Sequence, residues 1–247
     1  MYWQILQPVM NKLSKYLDAK LTNFFERGFR KNKDEILKKI VSASSYDYLM
    51  NNLSGGMVLP YNAWSISPQG MMMIINHILV NDVKTIVEFG TGISTVFLHN
   101  LSLKNNLDLK IISVDHDAKW QQTIKTRYKA TGVEYINCPL TTNMVFNNKP
   151  FSWYDLEALK NIDQQSTDFV IVDAPIGTGS PYERAGALEF YKQEFNRSNF
   201  SCYMDDTNYP PLKEVMLHYF PKARFYANFS IAGLGHAYEA EPVIFTK

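Results

Sequence analysis

The chain has 247 residues, 46% of them hydrophobic, which is enough to bury the core of one domain with an appendage. Its two cysteines, Cys138 and Cys202, exclude a disulfide framework and a cysteine-based zinc site. Residues 1–40 hold nine basic and four acidic residues, which leaves 16 basic against 20 acidic in the remainder. A main domain with that acidic excess is a poor candidate for tracking nucleic-acid phosphates.

The first 40 residues predict an amphipathic basic helix. Apolar residues between positions 2 and 25 recur at helical spacing, with lysines between them. Such a helix suits contact with a membrane surface, homo-oligomerisation, or packing on its own domain. We assign residues 1–55 to an N-terminal helical extension. The sequence has no apolar run of transmembrane length and no signal-peptide pattern, so a cytoplasmic location is expected, with membrane association through the helix as an alternative.

The main domain, residues 56–247, is expected to begin with a loop. The stretch "GGMVLPYNAWSISPQG" has the composition of a loop that ends at a helix start. Ser67 is the predicted N-cap and Pro68 the first helical residue. The following "MMMIINHILV" continues this helix, and its three methionines are interpreted as core filling.

From this helix onward, short apolar strands alternate with helices. Strands are predicted at 85–89, 110–114, 133–137, 168–172 and 199–204. Helices are predicted near 94–104, 117–130, 153–162, 181–195 and 211–219. Strands this apolar, separated by helices, are typical of a parallel sheet that is covered on both faces. The tail differs, because RFYANFS (224–230) and PVIFTK (242–247) are joined by a Gly-rich loop without a helix and should pair antiparallel.

A glycine turn, Gly90-Thr91-Gly92, follows the first of these strands directly. A dinucleotide site requires a third glycine, where this chain has Thr95, and places a pyrophosphate on the helix N-terminus. Glu88, just before the turn, would repel a pyrophosphate but attract a cationic amino-acid moiety. The second strand ends in Asp115, a carboxylate placed to bind both hydroxyls of a ribose.

With Asp173 at the end of the fourth strand and the terminal hairpin, these motifs resemble a class I S-adenosylmethionine-dependent methyltransferase over roughly residues 60–247. The resemblance implies an α/β fold with a Rossmann-like seven-stranded sheet, made of five βα-alternating strands and a C-terminal antiparallel hairpin, beside the N-terminal helical extension. It also implies S-adenosyl-L-methionine as cofactor. The residues that the resemblance assigns to this cofactor are Glu88, Gly90, Thr91, Gly92, Ser94, Asp115 and His116, with Cys138, Pro139 and Leu140 near the adenine.

The residues after the fourth strand bear on the methyl acceptor. Methyltransferases that act on amino groups of bases carry an Asn/Asp-Pro-Pro-aromatic motif at this place. This chain has Asp173-Ala174-Pro175-Ile176, without the second proline and without the aromatic residue that would stack on a flipped base. The sequence therefore argues against a nucleic-acid partner and favours a small-molecule or glycan acceptor.

A pair of acids, Asp205 and Asp206, ends the fifth strand. With Asp173 they form a set of oxygen ligands suited to Mg²⁺, which would activate an acceptor hydroxyl. This arrangement resembles metal-dependent O-methyltransferases of the catechol and macrolide-sugar types. Successive strand residues point to opposite faces, so the alternative is that Asp206 only makes a turn. His116 and His236 are alternative catalytic bases.

Two aromatic stretches and one arginine are candidates for the acceptor pocket. "PYNAWSIS" is a candidate lid, and "FSWYDL" (151–156) offers aromatic platforms for a sugar ring, unless its aromatic residues belong to the core. Arg184 suits an anionic acceptor such as a uronic acid or phosphate, or a helix-surface charge. Together with the Asp-Xaa-Pro loop, these features resemble methyltransferases of bacterial surface-glycan gene clusters, which implies polysaccharide biosynthesis.

The sequence thus predicts an O-methyltransferase acting on a hydroxyl of a carbohydrate or small molecule, with Asp173 as base or metal ligand. Two alternatives remain open at this point. A nicotinamide-dependent oxidoreductase would use the same turn, although Glu88 and the missing third glycine count against it. A non-catalytic methyltransferase-like protein would bind a partner through residues 1–40.

Overall fold

The computed structural model describes residues 35–177 and 179–233, together with the isolated positions 20, 22, 28 and 33. By compactness the chain divides into two units, Met1–Ser44 and Ser45–Lys247. In the first unit the described residues are helical. The predicted boundary near residue 55 stays a prediction. No helix among the described residues is both long and apolar enough to cross a membrane.

The second unit is an α/β domain. Its elements are α1 (45–53), α2 (Pro68–Val80), β1 (Thr85–Phe89), α3 (Ile93–Asn105), β2 (Lys110–Asp115), α4 (Ala118–Thr126), β3 (Glu134–Asn137), β4 (Leu140–Phe146), β5 (Lys149–Tyr154), α5 (Leu156–Leu159), β6 (Phe169–Val172), α6 (Ala185–Tyr191) with a following 3₁₀ turn (Lys192–Glu194), β7 (Ser201–Asp205), α7 (Pro210–Tyr219), β8 (Arg224–Phe225) and β9 (Phe229–Gly233). The five strands predicted to alternate with helices are all present, namely β1, β2, β3, β6 and β7.

The main sheet has seven strands in the order β3-β2-β1-β6-β7-β9-β8. The first five in this order pair parallel, and β9 pairs antiparallel with both β7 and β8. Every residue of β6 and β7 is buried, because helices cover both faces of a parallel sheet. The order reverses between β1 and β6, which places a crevice at their carboxyl ends. The predicted fold class is therefore confirmed.

The start of α2 follows the predicted local chemistry. Ser67 is the N-cap, and its Oγ accepts a hydrogen bond of 3.1 Å from the backbone N of Gly70. Pro68 occupies the first turn, where its missing N–H costs nothing. The three methionines 71–73 are buried in one of the two apolar clusters, as the core interpretation requires.

A second, two-stranded sheet corrects the sequence prediction. β4 and β5 form an antiparallel hairpin that was not predicted, and the helix expected at 153–162 is reduced to α5, which has four residues. The turn consists of Asn147 and Asn148, both with positive φ, at 48° and 61°. Two central residues with positive φ make the type of turn whose twist matches a two-residue hairpin.

The terminal hairpin is also placed differently from the expectation. β8 and β9 pair antiparallel, but both strands lie within residues 224–233, so the turn falls inside the run that was predicted to be one strand. The backbone N of Tyr226 donates a 2.8 Å hydrogen bond across this turn to the carbonyl of Phe229. The predicted partner run, 242–247, lies outside the described residues.

Candidate active site

The glycine turn that follows β1 uses its two glycines in different ways. Gly90 has φ +111°, and a Cβ added there would lie 2.9 Å from the Cβ of Ala174, so the close approach to the chain after β6 requires glycine. A Cβ added at Gly92 would meet only the Ser94 Oγ, at 3.6 Å. Contacts within the described protein therefore do not require glycine at position 92. The missing side chain instead leaves space in a cavity in front of the turn, which this residue lines.

Glu88 does not lie in that cavity, in contrast to the expectation that it contacts the cofactor. Its side chain is fully buried and accepts hydrogen bonds from the hydroxyls of Ser94, Thr95 (2.5 Å) and Ser113 (2.9 Å). Burial raises the pKa of the Glu88 carboxyl from 4.5 to about 7, against the lowering effect of the three hydroxyls. Glu88 thus links β1 to the start of α3 and to β2 through hydrogen bonds, and these bonds stabilise the glycine turn from the interior of the domain.

Asp115, at the end of β2, does face the cavity. Its two carboxylate oxygens are held in place by the backbone N–H groups of Thr91 and Asp117, each at 2.9 Å. Burial raises the pKa of Asp115 above its ordinary value, although these hydrogen bonds oppose the rise. The predicted neighbour His116 places its Nδ1 3.3 Å from an Asp115 oxygen and also lines the cavity.

Trp120 is a residue of this cavity that the sequence analysis missed. Its indole Nε1 donates a 2.7 Å hydrogen bond to the carbonyl of Thr91, which fixes the middle residue of the glycine turn. Trp120 stands on the first turn of α4, where Asp117 is the N-cap. A local signal was available, because Asp117 after β2 is an N-cap residue type, which places Trp120 in the first turn of the helix beside the strand end.

We call the space in front of the turn the glycine-turn cavity. It measures about 270 Å³. Its lining comprises Pro60, Asn62, Trp64, Ser65, Ile66, Gly90, Thr91, Gly92, Ile93, Ser94, Asp115, His116, Asp117, Trp120, Asp173, Ala174 and Ile176. The "PYNAWSIS" loop therefore covers the glycine turn, and it is not part of the second cavity described below. Trp64 in this loop keeps 76% of its surface exposed.

Three acids meet at the carboxyl ends of β6 and β7. Asp173 follows β6, and Asp205 is the last residue of β7. Asp206 adopts a left-handed backbone with φ +55°, which ends the alternation of the strand and removes the objection that Asp205 and Asp206 must point apart. One oxygen from each of the three carboxylates lies within 4.8 Å of the others. We call this set the carboxylate cluster.

The carboxylate cluster is strongly perturbed by its surroundings. Burial raises the pKa of Asp173 well above its ordinary range, Arg184 opposes the rise, and the charges of Asp205 and Asp206 add to it. Burial, and then the charge of Asp206, raise the pKa of Asp205 to about 6. Tyr203 donates a 2.8 Å hydrogen bond to Asp205 and fixes its orientation. Perturbed acids at the end of a sheet are typical of functional sites.

Arg184 is paired with the carboxylate cluster and is not a free anion binder. Its Nη2 lies 2.9 Å from an oxygen of Asp206 and 3.3 Å from an oxygen of Asp173. Its Nη1 donates a 2.8 Å hydrogen bond to the backbone carbonyl of Asp205. The expected roles, a ligand for an anionic acceptor or a helix-surface charge, therefore do not describe this buried side chain.

A second cavity of about 600 Å³ opens beside the first, and we call it the β6–β7 cavity. Its lining comprises Pro175, Ile176, Gly177, Gly179, Ser180, Pro181, Glu183, Arg184, Asp206, Asn208, Tyr209 and Leu212. Ile176 lines both cavities. The carboxylate cluster links them, because Asp173 lines the glycine-turn cavity and Asp206 lines the β6–β7 cavity.

Other predicted candidates lie elsewhere. Trp153 and Tyr154 are fully buried against Phe89, so they belong to the core and offer no sugar platform. Cys138 is buried and does not line the glycine-turn cavity, so its expected position beside the adenine is not supported. His236 lies outside the described residues.

Comparison with known proteins gives similarity in structure only. No protein-family model matches the chain, and no curated protein is significantly similar to it in sequence. A Staphylococcus aureus structure provisionally described as a caffeoyl-CoA O-methyltransferase is 14% identical, with a TM-score of 0.48 over 83% of this chain and 99% of that one.

Two further solved structures are similar at the same level. A precorrin-6y C5,15-methyltransferase from Geobacter metallireducens is 10% identical, with a TM-score of 0.47 over 74% of this chain and 97% of that one. An O-methyltransferase from Bacillus cereus in complex with S-adenosylhomocysteine is 13% identical, with a TM-score of 0.46 over 77% and 90%. At this level of similarity, a function has to be argued from the residues of the site itself.

Proposed function

We propose that this protein is an S-adenosylmethionine-dependent methyltransferase that acts on a hydroxyl of a carbohydrate or small-molecule acceptor. The observation that carries the proposal is the position of the carboxylate cluster. It joins a cavity built from a glycine turn and a strand-end acid to a second, larger cavity. A methyl donor in the first cavity and a hydroxyl in the second would meet at Asp173.

The glycine-turn cavity supports binding of the donor. Asp115 presents a carboxylate that backbone N–H groups hold in place, which suits two ribose hydroxyls. The space at Gly92 allows a ligand to approach the backbone, and Trp64 and Trp120 supply apolar surface. When bound, S-adenosylmethionine supplies an electrophilic methyl group on a sulfonium and leaves as S-adenosylhomocysteine.

The β6–β7 cavity supports binding of a polar, neutral acceptor. Ser180 and Asn208 offer hydrogen-bonding groups, and the half-exposed ring of Tyr209 offers a face for a sugar ring. Acids outnumber bases in this lining, and the one arginine is already ion-paired, so an anionic acceptor is disfavoured. The cavity is large enough for a ligand of monosaccharide size or more.

Asp173 is the proposed base for the acceptor hydroxyl. Burial raises the pKa of Asp173, which makes its carboxylate a stronger proton acceptor, and the neighbouring guanidinium of Arg184 opposes this rise and favours the ionised form. With Asp205 and Asp206 it also forms a hard oxygen donor set that fits Mg²⁺. A bound divalent cation would lower the pKa of the hydroxyl and fix its oxygen.

We also infer an interface role for residues 1–40, with either an anionic membrane surface or a second copy of the chain. The described part of this region exposes Ile36, Leu37 and Ile40. Residues 1–40 carry nine basic and four acidic residues, so the region is positively charged. Sedimentation velocity and vesicle flotation of the whole chain, compared with an Ile36→Ser, Ile40→Ser variant, test this role. A variant indistinguishable from the wild type in both experiments would refute it.

The first test of the proposed function is thermal unfolding with S-adenosylhomocysteine and, in parallel, with NAD. A ligand at about a hundred times its dissociation constant adds roughly 2.7 kcal/mol. For a chain of this size, each kcal/mol moves the midpoint by about 2–4 °C. We expect a shift with S-adenosylhomocysteine alone. A shift with NAD alone would indicate an oxidoreductase, and no shift with either would favour a binding protein without catalysis.

The acceptor is then identified by methyl transfer from labelled S-adenosylmethionine. A panel of neutral sugars, nucleotide sugars and catechols is offered with Mg²⁺ and with a chelator. Transfer to a neutral hydroxyl compound that depends on Mg²⁺ would support the whole proposal. Equal transfer in the presence of the chelator would support methyltransferase activity without a metal requirement.

A further inference from the structure

Arg184 stands out among the described lysines and arginines of the second unit, because it alone is buried, with 3% of its surface exposed. The guanidinium contacts all three members of the carboxylate cluster: the side chains of Asp173 and Asp206 through Nη2, and the carbonyl of Asp205 through Nη1. Its Nε is buried without a hydrogen-bond partner among the described residues. A buried N–H without a partner is costly, so the attraction of the carboxylates determines where this side chain lies.

Nη2 of Arg184 pairs with two of the three carboxylates that a shared metal would need. The ligand oxygens of the cluster lie within 4.8 Å of one another, and Nη2 is 3.3 Å from Asp173 and 2.9 Å from Asp206. A cation bound between these two oxygens would therefore lie close to a guanidinium in a buried, weakly screened site. Two like charges at such a separation repel strongly.

We propose that Arg184 is an internal cation that competes with a divalent metal for the carboxylate cluster. The guanidinium balances part of the charge of the three acids while no metal is bound, and metal binding requires it to move away from Asp173 and Asp206. Arg184 thereby sets the metal affinity of the cluster. This inference rests on the proposed function only in taking the cluster as the place where a divalent metal acts.

The test is the binding of Mn²⁺ to the whole chain, followed by the electron paramagnetic resonance signal of the free ion. Arg184→Met removes the charge and keeps the length of the side chain. We expect Arg184→Met to bind Mn²⁺ about tenfold or more tightly than the wild type, because a positive charge beside the site is gone. Adding Asp206→Asn to this variant should abolish the gain, which locates the effect in the cluster.

Arg197→Met is the matched control. Arg197 also pairs with two acids, at 3.2 Å from Glu194 and 4.0 Å from Asp168, but it lies outside both cavities. It should bind Mn²⁺ like the wild type. A wild-type or lower affinity in Arg184→Met would overturn the proposal, since Arg184 would then be neutral or would help to orient the ligands. No Mn²⁺ binding in any variant would overturn it as well.

A second measurement is made on the wild-type protein, with Arg184→Lys used only to assign a signal, and it covers the case in which Arg184→Met does not fold. The buried Nε–H of Arg184 should give a protected arginine resonance in the wild type, assigned by its absence from Arg184→Lys. Saturating Mg²⁺ should shift this resonance or remove its protection, and an unchanged resonance would overturn the proposal. Neither experiment uses the methyl donor, so failure to bind S-adenosylhomocysteine would refute the proposed function separately.

Discussion

Replacing Glu88 by Gln is expected to stabilise the protein at neutral pH and to flatten the pH dependence of its stability. Burial raises the pKa of Glu88 from 4.5 to about 7 in the folded chain, whereas the unfolded chain keeps the ordinary value. The folded state therefore binds this proton more tightly than the unfolded state. The resulting stabilisation is complete below a pH of about 4.5 and is lost as the pH rises through about 7.

The magnitude follows from the shift itself. A rise from 4.5 to about 7 corresponds to about 3 kcal/mol of unfolding free energy between acid and neutral pH. Gln has nearly the same shape and carries no charge at any pH. The groups around it are the hydroxyls of Ser94, Thr95 and Ser113, which can turn to accept hydrogen bonds from its amide.

The assay is urea unfolding at pH 5, 6, 7 and 8, followed by circular dichroism, for the wild type and Glu88→Gln. Glu157→Gln is the control, because it removes the same charge from a side chain that is 75% exposed. We expect the stability difference between Glu88→Gln and the wild type to grow by about 2.5 kcal/mol from pH 5 to pH 8. Parallel pH profiles would refute the reasoning, since Glu88 would then ionise alike in both states.

Asp115→Asn should weaken S-adenosylhomocysteine binding about tenfold or more in calorimetric titration, because a charged acceptor for hydroxyl groups is lost; an unchanged affinity would contradict its role. Gly90→Ala should lower stability by about 2–4 kcal/mol, because the new Cβ meets Ala174 at positive φ. Gly92→Ala should cost under about 1 kcal/mol and weaken ligand binding instead, so similar effects at both glycines would be inconsistent with the site. Asp173→Asn should slow methyl transfer by about 10²–10⁴ with ligand affinity retained; full activity would exclude it as the base.

The sequence by itself determined the elements that depend on local chemistry. Hydrophobic runs located β1, β2, β3, β6 and β7. All residues of β6 and β7 are buried, because helices cover both faces of a parallel sheet, whereas β3 is half-buried or exposed. The cap and proline at Ser67 and Pro68 located the start of α2. The acids at the strand ends were also visible, because parallel strands bring their carboxyl ends to one edge of the sheet.

The β4–β5 hairpin was missed although a local signal existed. Asn147 and Asn148 tolerate the positive φ that a tight hairpin turn requires. The aromatic residues beside this turn suggested a pocket, whereas Trp153 and Tyr154 pack in the core. The run 224–230 was expected to be one strand, but a turn inside it separates β8 from β9, and its predicted partner run, 242–247, lies outside the described residues.

Only the tertiary structure decided which partner or cavity each charged side chain faces. Glu88 and Asp115 both end or nearly end a strand, yet one faces three hydroxyls in the interior and the other faces the glycine-turn cavity. Arg184 and Asp206 are 22 residues apart and meet because α6 starts beside the end of β7. A sequence pattern records which groups are present at each strand end. The partner of each group depends on contacts between distant segments, which form only when the sheet and its helices are assembled.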